Sequence, residues 1–234
     1  MPKFLFLFFI FILALQNQLL SQELARKGTF GIQMEANSDG NGIQVLKVFD
    51  HSTASSLKIR AGDLIQQVNG IDYKEVNPLV AAVGQWEAGK NITVTIERAG
   101  EEQILRGKIV GKPLETSEYG EVIYGSVGFD GGQLRSILEL PKGVENPPVI
   151  FFLPGIGCGS LDYYYNTNAP TKLLVEEWVK NGIAVYRVEK PGMGDSKSTT
   201  PCQEMDFNYE VAAFSEALKQ LKKISEIDAD NIFL

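Results

Sequence analysis

Apolar positions between residues 24 and 110 come in short runs, many at every second place, the rhythm of half-buried strands. Residues 91–97, Asn-Ile-Thr-Val-Thr-Ile-Glu, alternate strictly. Residues 42–49, Gly-Ile-Gln-Val-Leu-Lys-Val-Phe, carry the β-branched enrichment of a strand. Ala99-Gly100 turns the chain before another strand at residues 103–105. One modest helix interrupts them. Asn77 suits its cap and Pro78 its first position, where a missing N–H does no harm. Leu79, Val80 and Val83 give it an apolar face, and Gly89 is expected to end it.

Beyond residue 111 the rhythm changes. Residues 112–118 read as a linker. Residues 122–129 and 134–140 predict a hairpin around Asp130-Gly131-Gly132. Residues 149–153 are wholly apolar, as buried parallel strands tend to be. A helix follows with Leu173, Leu174 and Trp178 on one face, stopped by Asn181-Gly182. Residues 183–188 predict the next strand, and Val211, Phe214, Leu218 and Leu221 mark an amphipathic helix. Residues 231–234 open a further strand. This order predicts an α/β sheet whose functional loops lie at the C-terminal ends of its strands.

The N-terminus has another character. One positive charge, Lys3, precedes an unbroken apolar run over residues 4–15, followed by Gln16-Asn17-Gln18. That run is short for a membrane span, which needs about 20 residues, but fits a signal-peptide core. Residues 1–21 are therefore expected to be removed near Ser21. The mature chain would be exported to the periplasm or outside the cell, with no stable membrane span. An uncleaved anchor is the alternative. Export makes Cys158 and Cys202 candidates for a disulfide, with two free thiols the other reading. The chain has a net charge of −7 and scattered Lys and Arg, which excludes a nucleic-acid partner. Cys and His show no metal-ligand spacing, so no metal site is expected.

Two resemblances give these regions chemistry. Lys27-Gly28-Thr29-Phe30-Gly31-Ile32 precedes the first strand, and Arg60-Ala61-Gly62-Asp63-Leu64-Ile65-Gln66-Gln67-Val68-Asn69-Gly70 follows a Ser/Ala-rich segment. With the later helix and final strand in their order, residues 24–111 resemble a PDZ domain. The resemblance implies a small β-rich domain with two helices. A peptide, by its C-terminus or an internal strand, would add to a sheet edge there. Gly28, Thr29, Phe30 and Gly31 would form the carboxylate loop, with Phe30 packing into the groove and Ile32 beginning the edge strand. A module that only packs against its neighbour is the alternative. His51, the chain's one histidine, reads as a surface-loop residue.

Residues 119–234 resemble the N-terminal half of an α/β-hydrolase. Phe151-Phe152-Leu153-Pro154-Gly155-Ile156-Gly157 stands where that family has an H-G-x-G-like oxyanion loop. Glu189-Lys190-Pro191-Gly192-Met193-Gly194-Asp195-Ser196 stands at its D-x-R-G-x-G-x-S loop. Pro154, Glu189 and Pro191 replace the usual His, Asp and Arg. The resemblance implies a serine hydrolase for an ester or peptide substrate, with Ile156 or Gly157 donating to the oxyanion. Its nucleophile elbow follows the fifth strand, and no G-x-S-x-G occurs in this chain. Ser160, Ser196 and Ser198 have no base nearby in sequence and read as turn or capping residues. The expectation is an incomplete α/β-hydrolase sheet cut at its fifth strand, with no catalytic residue in this chain. Neither resemblance calls for a cofactor. In that fold the third and fourth strands are neighbours, which brings the loops of Cys158 and Cys202 side by side. Tyr163-Tyr164-Tyr165 could line a pocket or simply pack. The rival reading is a non-catalytic peptide-binding module with an α/β scaffold or pseudo-hydrolase region.

Overall fold

The computed structural model describes residues 24–197 and 200–234, so the expected signal segment and Ser198 lie outside the described residues. The first region is an antiparallel sheet of β1 (Ile32–Ala36), β2 (Ile43–Val48), β3 (Leu64–Val68), β4 (Ile71–Asp72), β5 (Asn91–Arg98) and β6 (Glu101–Lys108). Its order is β1-β2-β3-β5-β6, with β4 beside β3. Two helices accompany it, α1 (Thr53–Ser56) and α2 (Val76–Val83). The alternation read in β5 places Ile92, Val94 and Ile96 inside, against Ile43, Ile65, Leu79 and Trp86.

Helix α2 starts earlier than its sequence implies. Glu75 is the cap, without a side-chain bond, and Pro78 falls inside the first turn. That turn tolerates proline because its amides have no intrahelical acceptor. The helix also ends sooner, at Val83, with Gly84 as cap. Gly89, at φ +80°, serves a later turn instead.

The second region is a mixed sheet of β7 (Gly120–Phe129), β8 (Gly132–Pro141), β9 (Val149–Phe152), β10 (Ala184–Val188) and β11 (Ile232–Phe233), ordered β11-β9-β10-β8-β7. β9 pairs in parallel with both β10 and β11, while β7, β8 and β10 run antiparallel. Every residue of β10 is buried. Ala184, Tyr186 and Val188 pack in one cluster with Phe214, Ala217 and Leu221 of α4 (Phe207–Leu221). Val185 packs in another with Val175 and Val179 of α3 (Pro170–Lys180). The sheet is thus covered on both faces.

The inward face of α3 differs from the one expected. Lys172, Val175 and Val179 are buried, whereas Leu173 and Leu174 are 51% and 43% exposed. Electrostatics explains the reversal. Lys172 Nζ lies 3.4 Å from Glu139, 3.5 Å from Glu115 and 3.6 Å from Glu176. Arg187 of β10 holds both carboxylate oxygens of Glu115, at 2.9 and 3.1 Å. A buried charge is tolerable only when paired and hydrogen-bonded, and this cluster supplies the pairing. Glu115 belongs to the irregular segment read as a linker, so that segment is anchored in the second region's interior. On α4, Ala213 and Ala217 face inward while Val211 stays 46% exposed.

Candidate functional site

β1 forms one edge of the first sheet. The loop leading into it is held from behind. Gly28 N–H donates to Trp86 O at 2.8 Å and Thr29 N–H to Val110 O at 2.9 Å. Phe30 O accepts from Ala54 N at 3.0 Å and Gly31 O from Phe49 N at 2.9 Å. The amides of Phe30 and Gly31 have no protein acceptor among the described residues. Ile32 sits opposite Val48, one step beyond the Gly31–Phe49 bond, so antiparallel alternation turns its amide to the free edge. Gly31 has φ +72°, and a Cβ there would stand 2.1 Å from Ser52 Cβ. Only glycine fits.

The five residues singled out in sequence therefore divide. Phe30, Gly31 and Ile32 present successive amides, the arrangement that binds anions through backbone N–H groups. Gly28 and Thr29 fix the loop with theirs. The Phe30 side chain is 3% exposed and meets Trp86 edge-on with centroids 5.1 Å apart, so it belongs to the core rather than the groove. Apolar side chains flank the edge. Ile32, Met34, Val76 and Val83 are partly buried, and Val80 is 51% exposed. His51 is exposed, at φ +54°, in the turn before α1.

Immediately before this loop the two regions interlock. Arg26 pairs with Asp162 at 2.6 Å and with Asp195. Asp195 accepts from Lys27 N at 2.7 Å and from Arg135 Nε at 3.1 Å. Lys197 pairs with Glu87 at 2.6 Å. Tyr165 OH lies 3.4 Å from Thr29 Oγ1. None of these pairings leaves a mark in the sequence, because the partners are far apart along the chain and show no periodicity.

The glycine-rich loop after β9 is built differently. Ile156 is fully exposed, and a Cβ added to Gly155, Gly157 or Gly159 would meet nothing within 4 Å. The amides of Ile156 and Gly157 have no protein acceptor among the described residues. A disulfide joins Cys158 to Cys202, whose Cα atoms are 5.9 Å apart. Downstream the loop is clamped by Glu189, which accepts from Ser160 Oγ and, at 3.1 Å, from Leu161 N. Burial pushes the Glu189 carboxyl above its ordinary range, opposed by those two bonds. Gly194, at φ +51°, lets the backbone pass Glu189, since a Cβ there would sit 2.4 Å from its Oε1. Ser196 Oγ accepts from Arg135 N at 2.9 Å. Ser160 and Ser196 thus have a carboxylate and a backbone amide as partners and no histidine.

Beside this loop, Phe151, Leu153, Pro154, Phe207, Val211 and Leu234 line an apolar groove of about 350 Å³. Phe207 is 77% exposed there. At its rim Glu210 pairs with the buried Lys190 at 2.7 Å. Among the described residues no His, Cys, Asp and Glu group could hold a metal ion, and no helix is long and apolar enough to cross a membrane.

Residues 28–109 match the family model of the PDZ domain, and this part of the chain is a PDZ domain. Similar solved structures include an HtrA-type protease, AlgW with decapeptide, at 18% identity and TM-score 0.35, covering 38% of this chain and 31% of that one. The HtrA3 PDZ domain bound to a phage-derived ligand (FGRWV) is 22% identical with TM-score 0.31, covering 37% of this chain and 86% of that one. Acetyl xylan esterase 1 from Thermoanaerobacterium sp. JW/SL YS485 is 16% identical with TM-score 0.37, covering 52% of this chain and 41% of that one. The chain thus spans less than a third of the length of the AlgW protease. No curated protein matches it.

Proposed function

We propose that the protein captures the C-terminus of a peptide at the β1 edge, and that its second region is the oxyanion-side half of an exported α/β-hydrolase. One observation carries the peptide reading: the amides of Phe30 and Gly31 are without protein acceptors beside an edge strand. A peptide added there gains main-chain hydrogen bonds, and its carboxylate meets a ready anion site. The decisive measurement is affinity for hits from a random C-terminal heptapeptide library, as free acids and as amides. Amidation should abolish most binding; equal affinities would reject the assignment.

The hydrolase reading rests on sheet order and loop placement. β9, β10 and β11 are parallel neighbours, and the loop with the unpartnered Ile156 and Gly157 amides leaves the C-terminal end of β9. The nucleophile and base for ester or amide cleavage would come from residues outside the described ones. Export agrees with the Cys158–Cys202 disulfide, since such bonds persist in oxidising compartments. A fluorophosphonate probe applied to the protein from its natural source should label a serine outside residues 24–234. Labelling of Ser160 or Ser196, or no labelling, would overturn this reading.

A further inference from the structure

Thr29 is fixed on both sides of its backbone. Its N–H bonds Val110 O, and its C=O accepts from Thr53 N at 3.2 Å and Thr53 Oγ1 at 2.6 Å. Its Cβ therefore stands at a set place, and the hydroxyl it carries lies one residue before the first unpartnered amide of the anion loop. The group that meets it comes from the other region. Tyr165 OH donates to Thr29 Oγ1 across 3.4 Å, longer than the 2.5–3.0 Å usual for O–H···O bonds.

The segment carrying Tyr165 is firmly seated. Tyr163 is buried and its N–H donates to Glu115 at 2.7 Å. Asp162 pairs with Arg26, and Leu161 N–H is held by Glu189. The Tyr165 ring stands edge-on to Tyr164, centroids 5.0 Å apart, yet remains 65% exposed. Core packing does not call for it. An amphipathic aromatic on a rigid base, with a weakly held hydroxyl beside an anion loop, is suited to a ligand with an apolar body and a charged end.

We propose that Tyr165 completes the peptide site: its hydroxyl leaves Thr29 to donate to the peptide carboxylate, and its ring covers the terminal side chain. This inference rests on the peptide-capture reading and deepens it. The ligand is a peptide ending in a free carboxylate on an apolar residue, and the site needs both regions of the chain.

The test titrates the full chain, as wild type, Y165F and Y165A, with an apolar-ended heptapeptide selected from the random library, as free acid and as amide. Y165F removes only the hydroxyl. It should weaken the free acid about tenfold and leave the amide unchanged, shrinking the acid-to-amide ratio by the same factor. Y165A should lose at least as much. Should Y165F keep the wild-type ratio while amidation still weakens the wild type, the role of Tyr165 is overturned and peptide capture stands. Equal wild-type affinity for acid and amide would remove both.

Discussion

A methyl group added to Gly31 would lie 2.1 Å from Ser52 Cβ, whereas one added to Gly155, Gly157 or Gly159 would meet nothing within 4 Å. The two loops share a residue type and a place at a strand end, but the PDZ loop is half-buried where the other is exposed, and glycine answers different needs. In the PDZ loop the neighbours dictate it, through crowding and a left-handed backbone. In the loop after β9 no neighbour does, and the open space leaves two amides accessible. Glycine in a motif therefore does not distinguish tight packing from ligand access. The surroundings of the missing Cβ do.

The regions also differ in what fills them, which a change at Arg187 should expose most strongly. Arg187→Ala would leave Glu115 and Glu139 facing each other with only Lys172 to compensate. Removing one partner of a buried pair costs about 3–5 kcal/mol, so thermal unfolding should show the second region lost first. Retention of the wild-type melting profile would mean that the cluster is not what holds that interior. Next in size, Gly31→Ala should destabilise the PDZ domain by roughly 2–3 kcal/mol, from left-handed strain and overpacking together. It should also remove peptide binding in the same titration.

A smaller effect concerns pH. Burial raises the Glu189 carboxyl above the ordinary carboxylate range. A raised group contributes stability that is present below its unfolded value and lost as pH rises through its folded value. Glu189→Gln cannot ionise, so wild type should lose melting temperature relative to this variant as pH rises through and above the ordinary carboxylate range. A difference that is flat with pH would refute the assignment. Least of all, Gly157→Ala should change stability by less than about 0.5 kcal/mol, as expected for an uncrowded surface site. A drop comparable to that of Gly31→Ala would erase the contrast between the loops.

Much of the frame was legible from residue order. Strict alternation in β5, the Asp130-Gly131 turn and the Gly28–Ile32 motif all express local physics that a short window contains. The face of α3 was not, because Leu173 and Leu174 look like core until Lys172 meets Glu115 and Glu139 from other elements. Nor could a window tell that Phe30 turns inward to Trp86, or which loop amides are already engaged. Local order names the loop; long-range partners decide which of its atoms are free.

Arg26 carries one more consequence. Beyond its two aspartates, its guanidinium donates to Lys112 O at 3.0 Å and Pro113 O at 2.6 Å. The strand of chain entering the PDZ domain and the one leaving it are therefore pinned by a single side chain. Such a module has its two ends at one address, like a drop-in cartridge. Another PDZ sequence could be grafted between residues 27 and 112 with the Arg26 ties to Asp162 and Asp195 retained, giving the chain a new peptide preference without redesign of the sheet beneath.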